Sequence, residues 1–390
     1  MGTVRETNGG SGMGPLEGLK IVELWCIGPG PFAAMQLADM GADVIRVDRP
    51  DEPDYGYPDP RYRTLWRNRR AVTIDLSTPE GVEVLKRLVA DADGFIEGNR
   101  PGVCEQMGIG PDDLLAVNPK LVYGRMTGFG QEGPLAHKAG FDLSFISLTG
   151  VAGAVGTHDQ PVPPLILGGD FGGGGMYLAM GMLAAIMQAQ RTGEGQVVDA
   201  AMVDGSANLM AYMYGGMAGG VWTNERENNN VDGGHWLYRM YRCADDLFIS
   251  VACLSPKLYR DLAEGFDLDP AVFEFRAGRK RWPELRDRLA AIVIAHNRDH
   301  WLEVFAGRDA CVQPVLDMEE APAHPHLVAR RTFVEHDGVV QPAPAPRFSG
   351  SPTSVRLAPP ANGADTDDVL TSWGFDAGEI AELRADGVVG

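Results

Sequence analysis

A single carboxylate, Asp170, stands between two glycine runs in Gly168-Gly169-Asp170-Phe171-Gly172-Gly173-Gly174-Gly175. Glycines leave no side chains to shield a carboxylate, and they let a ligand approach the backbone closely. An apolar segment, Met176 to Ala189, follows at once. It reads as a helix, so its first N–H groups and positive dipole end are expected just beyond Asp170. A carboxylate in such a place stays ionised and reachable, which suits a nucleophile or a general base. An Asp that merely caps a helix after a glycine loop has the same local sequence, so the rest of the chain has to separate the two readings.

The second concentration of chemistry-bearing side chains is basic. Arg46, Arg49, Arg61, Arg63, Arg67, Arg69 and Arg70 place seven arginines within 25 residues of a chain whose formal net charge is −19. Guanidinium forks match phosphate geometry, so this segment is expected to form an anion site, against the alternative of a solvated charged face. The acidity of the remainder works against nucleic acid and anionic membranes as partners. The five cysteines, Cys26, Cys104, Cys243, Cys253 and Cys311, are odd in number and show no CxxC spacing. That fits a reduced, cytoplasmic protein and gives no basis for a metal site or a disulfide framework. Residues 1–14 are polar and glycine-rich and are expected to form a disordered tail, and no apolar stretch reads as a membrane span.

The elements that must position these groups alternate. Leu19–Leu24 reads as a strand, Gly28-Pro29-Gly30-Pro31 as a turn, Phe32–Met40 as a helix and Ala42–Asp48 as a second strand. The turn lacks the GxGxxG spacing, and its prolines remove N–H donors that a pyrophosphate needs. Further strands are expected at Val72–Leu76, Gly94–Glu97 and Leu121–Met126, with a helix from Pro79 to Ala90. Strand–helix alternation argues an α/β fold, with a Rossmann-like, mostly parallel sheet. Ligands in such sheets gather at the carboxyl ends of strands, where Asp48-Arg49, Gly98-Asn99-Arg100 and Thr127-Gly128-Phe129-Gly130 fall. The segment 176–217 reads as two apolar helices separated by Arg191–Gly195. Composition changes at the polar connector 222–234. We therefore expect a large domain over 15–224, a smaller α+β domain over 225–335, and a C-terminal return to the large domain over 336–390.

Several spaced motifs together carry a family resemblance. Gly18-Leu19-Lys20-Ile21-Val22-Glu23-Leu24, Gly41-Ala42-Asp43-Val44-Ile45-Arg46-Val47-Asp48-Arg49-Pro50, Arg67-Asn68-Arg69-Arg70, Glu97-Gly98-Asn99-Arg100-Pro101-Gly102, Met126-Thr127-Gly128-Phe129-Gly130 and Gly195-Gln196-Val197-Val198-Asp199 resemble the family III CoA-transferases (CaiB/BaiF). Gly169-Asp170-Phe171-Gly172 and Cys311-Val312-Gln313-Pro314-Val315 are similar to its α-methylacyl-CoA racemase branch. The resemblance implies an intertwined homodimer and a coenzyme A thioester as substrate, with no permanently bound cofactor. It implies CoA or substrate contacts at Arg49, Arg67, Arg70, Leu76, Ser77, Thr78, Pro79, Gly98, Asn99, Arg100, Gly140, Phe141, Asp142 and Phe145. One arginine of the racemase CoA site falls at Gln106.

By the same resemblance Asp170 is the catalytic aspartate. It is a nucleophile in the transferases and one of two bases in the racemases. Racemisation needs proton carriers on both faces of one carbon. The racemase histidine falls at Phe141 and its supporting glutamate at Ser255, and neither replacement is a base. Three readings follow. The first is acyl-CoA:carboxylate CoA transfer through Asp170, with backbone N–H groups around Gly140-Phe141 as oxyanion donors and Asp232-Gly233-Gly234-His235 as a covering loop. The second is an isomerase in which His235, or else His137, replaces the missing base. The third is a CoA-thioester binding protein, or a lyase or cyclase that uses Asp170 alone.

Overall fold

A computed structural model describes residues 14–50, 57 and 59–390; the expected tail, apart from Gly14, lies outside them. The chain divides into two compact units, one of residues up to 149 with 165–209 and 331–390, the other of 150–164 with 210–330.

The first unit is a six-stranded sheet in the order β3-β2-β1-β4-β5-β6, every pair parallel. Its strands are β1 (Lys20–Leu24), β2 (Asp43–Asp48), β3 (Arg69–Thr73), β4 (Gly94–Glu97), β5 (Val122–Thr127) and β6 (Gln196–Ala201). Most residues of β1 to β5 are buried, as a sheet covered on both faces requires. Helix α1 (Pro29–Asp39) starts three residues earlier than Phe32, because Pro29 and Pro31 sit in the first turn, where a missing N–H costs nothing. Helix α2 (Pro79–Ala90) is capped by Thr78, whose Oγ1 accepts the Gly81 N–H at 3.1 Å. β3 begins at Arg69, before the expected Val72, because Arg69 is buried in an ion pair with Glu23 of β1. A charged strand residue hidden in this way defeats a reading by apolar runs. β6 was not expected as a strand at all; its residues from Gln196 to Asp199 stay partly or fully exposed, so they lack the apolar run of a central strand.

Short helix α3 (Asp142–Ile146) follows β5. The stretch Gly168–Gly175 is itself a π-helix, continuous with α4 (Met176–Thr192). Asp170 is therefore inside a helical turn, not in a loop ahead of one. Helix α5 (Met202–Leu209) lies against the π-helix, and a Cβ on Gly205 would run into the Gly173 carbonyl. The glycines are the condition for this close backbone approach. One core joins Val22, Ile45 and Val72 of the sheet to Leu85 and Leu88 of α2. Val369, Leu370 and Ile380 join the same core from C-terminal helices Thr366–Ser372 and Ala377–Ala385. The other core packs α1 and α4 on the opposite strand residues.

The second unit carries an antiparallel sheet, β7 (Tyr238–Arg242), β8 (Phe248–Ala252) and β9 (Val312–Val315). Helices α6 (Pro256–Gly265), α7 (Trp282–Val293) and α8 (Arg298–Phe305) surround a core that includes Trp236, Trp282, Trp301 and Phe266. The chain enters this unit at Met210, ahead of the polar connector at 222–234, because the apolar helix Ala211–Ala218 already belongs to it. Residues 150–164 belong to it as well, and 331–335 to the first unit.

Candidate active site

The strand order reverses between β1 and β4, whose chain connections leave in opposite directions across the sheet. Such a switch point opens a crevice at the carboxyl ends of the two strands. A cavity of about 390 Å³ occupies this place in the first unit. It is lined by Ile27, Gly28 and Pro29 after β1, by Gly98, Asn99, Arg100 and Pro101 after β4, and by Thr127, Gly128 and Phe129 at and after the end of β5. The segment with Lys138, Gly140 and Phe141, and Phe145, line it as well. Asp170 completes the wall.

The Asp170 carboxylate reaches the cavity past Gly28, whose φ is +67° and where a Cβ would meet Asp170 Oδ2 at 2.7 Å. Glycine is therefore required there for two reasons, the left-handed backbone and the close carboxylate. The neighbouring Phe171 stacks on Phe32 of α1, centroids 4.5 Å apart, which anchors the π-helix on the other side of Asp170. Wide π turns occur frequently at functional sites. Burial pushes the Asp170 carboxyl up to about 6, and the nearby Asp142 carboxylate pushes the same way. At neutral pH the group is still mostly ionised, and it is a stronger base and nucleophile than a solvated aspartate.

The loop after β4 is held from beneath. Glu97, fully buried at the end of β4, accepts the Asn99 N–H at 2.6 Å and the Arg125 Nε at 3.1 Å. Arg125 donates in turn to Glu105 at 2.8 Å. Desolvation raises the Glu97 carboxyl, and the Asn99 N–H and Arg125 pull it back. Phe145 is buried edge-on to Phe129, centroids 4.9 Å apart, and its ring fills the space over Gly128 and Gly140. Phe141 is 75% exposed, and its N–H donates to Ser144 Oγ at 3.4 Å.

Gly98, Asn99, Arg100, Gly140, Phe141 and Phe145 thus share one wall with Asp170. Other expected contacts do not. In the arginine segment, Arg67 and Arg70 do not line the cavity and are engaged by other groups. Arg67 is 3% exposed and donates to Asp39 at 2.6 Å, to Gln341 at 2.9 Å and to the Pro342 carbonyl at 2.8 Å. Arg70 forks onto both oxygens of Asp43 and reaches Ser372. Arg46 is likewise buried against Asp48. These guanidiniums tie the sheet edge to the C-terminal segment, and their charge is met by carboxylates. Arg49 is exposed after β2. Leu76 packs on the core, Ser77 Oγ donates to Asp75 at 2.6 Å, Thr78 caps α2, and Pro79 opens that helix; none of the four lines the cavity. Gln106 ends the short helix Val103–Gln106. Asp142 is 6% exposed and does not line the cavity either; its Oδ1 accepts the Asp170 N–H at 2.7 Å.

Among the cavity residues not expected are Ile27, Gly28, Pro29 and Lys138. The first three follow β1, but only the strand order reveals that β1 borders the switch point. Lys138 had no local signal. His137, its neighbour, is exposed in a turn and is not part of the lining.

His235 and Ser255 belong to the second unit. His235 is 8% exposed, its ring lies 4.4 Å from that of Trp282, and its Nδ1 accepts the Leu237 N–H at 3.0 Å. Burial pulls it down to about 4. The preceding loop is closed on itself, with Asp232 accepting the Asn229 and Gly234 N–H groups. Ser255 precedes α6 without a side-chain cap bond. Among the described residues no cluster of ligands suits a metal ion, and no helix is long and apolar enough to cross a membrane.

An α/β sheet with an aspartate-bearing cavity at its switch point is one of many enzyme frameworks; the sequence match makes it specific. The chain belongs to CoA-transferase family III, whose family model matches residues 16–366. It is 37% identical over 377 residues to α-methylacyl-CoA racemase of Mus musculus, covering 96% of this chain and 97% of that protein. It is 31% identical over 400 residues to succinyl-CoA–D-citramalate CoA-transferase of Chloroflexus aurantiacus, covering 96% and 98%. The solved structure of a CAIB/BAIF family protein from Brucella suis matches with a TM-score of 0.78 at 26% identity, covering 92% of this chain and 99% of that one. The family thus contains both racemases and CoA-transferases, and its substrates are CoA thioesters.

Proposed function

We propose that the protein is an acyl-CoA:carboxylate CoA-transferase with Asp170 as nucleophile. The observation that carries this reading is the composition of the cavity wall: among its described lining residues Asp170 is the only carboxylate, and none is a histidine. One carboxylate suffices for covalent transfer. An Asp170 oxygen attacks the thioester carbonyl, the C–S bond breaks, and CoA leaves as thiolate from a mixed anhydride. The thiolate then attacks the Asp170 carbonyl, which releases the donor carboxylate and leaves an aspartyl–CoA thioester. An acceptor carboxylate reverses both steps, takes up CoA and restores Asp170.

In this reading Arg100 and Lys138, the two cations of the lining, face the charged parts of the substrate. The backbone of Gly140 and Phe141 borders the reacting carbonyl. Arg49 and residues 76–79, at the carboxyl ends of β2 and β3, meet the nucleotide end of CoA. The family resemblance adds a homodimer as the working form.

The 37% identity to a racemase supports a second reading, proton exchange at the α-carbon, with His235 or His137 as the replacement base. One experiment separates the two. Under turnover with an acyl-CoA and a carboxylate acceptor, hydroxylamine or borohydride is expected to modify Asp170, located by peptide mass spectrometry. A 2-methylacyl-CoA in D2O is expected to retain its α-proton. Deuterium at the α-carbon with an unmodified Asp170 would establish the isomerase instead.

A further inference from the structure

Asp142 stands outside the cavity, yet it is the side chain most closely tied to Asp170. Its Oδ1 accepts the Asp170 backbone N–H at 2.7 Å. Gly169 abuts the same carboxylate: a Cβ there would run into Asp142 Oδ1 and would lie 2.9 Å from the Ile146 side chain. The Gly169–Asp170 peptide of the π-helix is therefore held against α3 by a buried carboxylate. A buried carboxylate with its charge directed at a backbone N–H is an expensive way to hold one peptide, since a neutral amide oxygen would accept the same bond.

We propose that Asp142 is a positioning residue for Asp170, fixing the Gly169–Asp170 peptide through its oxygen and biasing the reacting carboxylate through its charge. The inference rests on Asp170 being the reacting group, as proposed above. The other charged groups on elements packed against the π-helix are otherwise engaged or directed elsewhere. Asp39 on α1 is paired with Arg67, and Arg125 on β5 with Glu97 and Glu105. Asp199 on β6 accepts the Gln131 N–H, and Asp204 on α5 is exposed. Arg191 lies in the last turn of α4, at the end remote from Asp170. Arg100 and Lys138 share the cavity wall, yet burial and Asp142 are what move the Asp170 carboxyl, both upward.

The test separates the oxygen from the charge. Asp142→Asn keeps an acceptor for the Asp170 N–H and removes the charge; Asp142→Glu keeps the charge and displaces the oxygen. Two readouts are taken on the full-length protein. One is the pH dependence of carbodiimide labelling of Asp170, followed by peptide mass spectrometry without turnover. The other is the acid limb of kcat/KM for acyl-CoA:carboxylate exchange. In Asp142→Asn both midpoints are expected to move to lower pH by about 0.5 to 1, with kcat/KM on the plateau reduced about three- to ten-fold as the nucleophile becomes less basic. In Asp142→Glu the midpoints stay near the wild-type value and kcat falls with little change in KM. A labelling midpoint unchanged in Asp142→Asn overturns the proposal. If the labelling midpoint moves while wild-type protein transfers no CoA, the transfer reading falls and the role of Asp142 stands.

Discussion

Asp170 in the first unit and His235 in the second are both titratable side chains held largely out of water, and burial drives each toward its uncharged form. The carboxyl rises to about 6 and the imidazole falls to about 4. What surrounds them differs. His235 has a hydrogen-bond partner for Nδ1 and the tilted Trp282 ring 4.4 Å away, in a core that contains Trp236, Trp282 and Leu285. Asp170 has a glycine where a side chain would cover it, a second carboxylate behind it, and a cavity in front. A perturbed proton affinity therefore does not by itself mark chemistry. At His235 it is the by-product of a place in a core; at Asp170, among the described residues, no hydrogen bond or ion pair meets the carboxylate, which faces the cavity.

The sharpest break of this comparison is Asp170→Asn. Turnover is expected to fall by at least about 10³-fold, since the amide is neither nucleophile nor base. Stability is expected to move the other way. Asp170 binds its proton more tightly in the folded state than at its ordinary 3.8. Its contribution to stability is thus full below that value and lost as the pH rises through about 6. At pH 8 the variant should be more stable to urea than the parent by about 1 to 2 kcal/mol, discounted for the partial exposure of the group. Equal stability at pH 8 would show that the ionised carboxylate costs the fold nothing.

The two groups of arginines extend the comparison to cations. Arg67 is held as His235 is, with every partner in place, whereas Arg100 is exposed on the wall that holds Asp170. Arg67→Ala leaves Asp39 buried without its counter-ion and is expected to cost about 3 kcal/mol in chemical denaturation. KM for acyl-CoA should be unchanged in the folded fraction. Arg100→Ala is expected to raise that KM several-fold with stability within about 0.5 kcal/mol of the parent. An exchange of these two phenotypes would return the anion site to the arginine segment.

The difference between these arginines also shows where sequence stops being legible. The α/β class, the parallel sheet and helix α2 follow from buried apolar strands, turn residues and a Thr cap, which are local signals. Asp170 was legible because glycine density is visible in one line of sequence. Ion pairs are not local: Arg67 and Asp39 are 28 residues apart, and Gln341 is 274 away. A run of arginines therefore looks alike whether it faces phosphate or carboxylate. The place of Gly28 in the wall depends on β1 lying beside β4, a matter of strand order. The edge strand β6 was hidden because half-exposed strands carry no apolar run. The π-helix was hidden because glycine propensity argues against any helix, and only packing against α1 and α5 makes it form.

His235 offers the smallest effect and the closest test of whether burial alone explains its lowered proton affinity. Its folded-state proton affinity is lowered from 6.5 to about 4. The stability it contributes is thus fully present above 6.5 and is lost as the pH falls toward 4, because the unfolded chain takes up the proton first. Wild-type protein should lose about 2 kcal/mol from this residue between those pH values. His235→Gln retains an acceptor for the Leu237 N–H but cannot titrate. It should show a shallower loss on acidification, by roughly that amount, in urea denaturation at pH 7 and pH 4.5. Its CoA-transfer rate at pH 7.5 should stay within about three-fold of the parent. The pairing of the two measurements is what discriminates. A changed acid slope with retained transfer assigns His235 to the core of the second unit. Loss of transfer with an unchanged slope would instead give His235 a part in the transfer reaction.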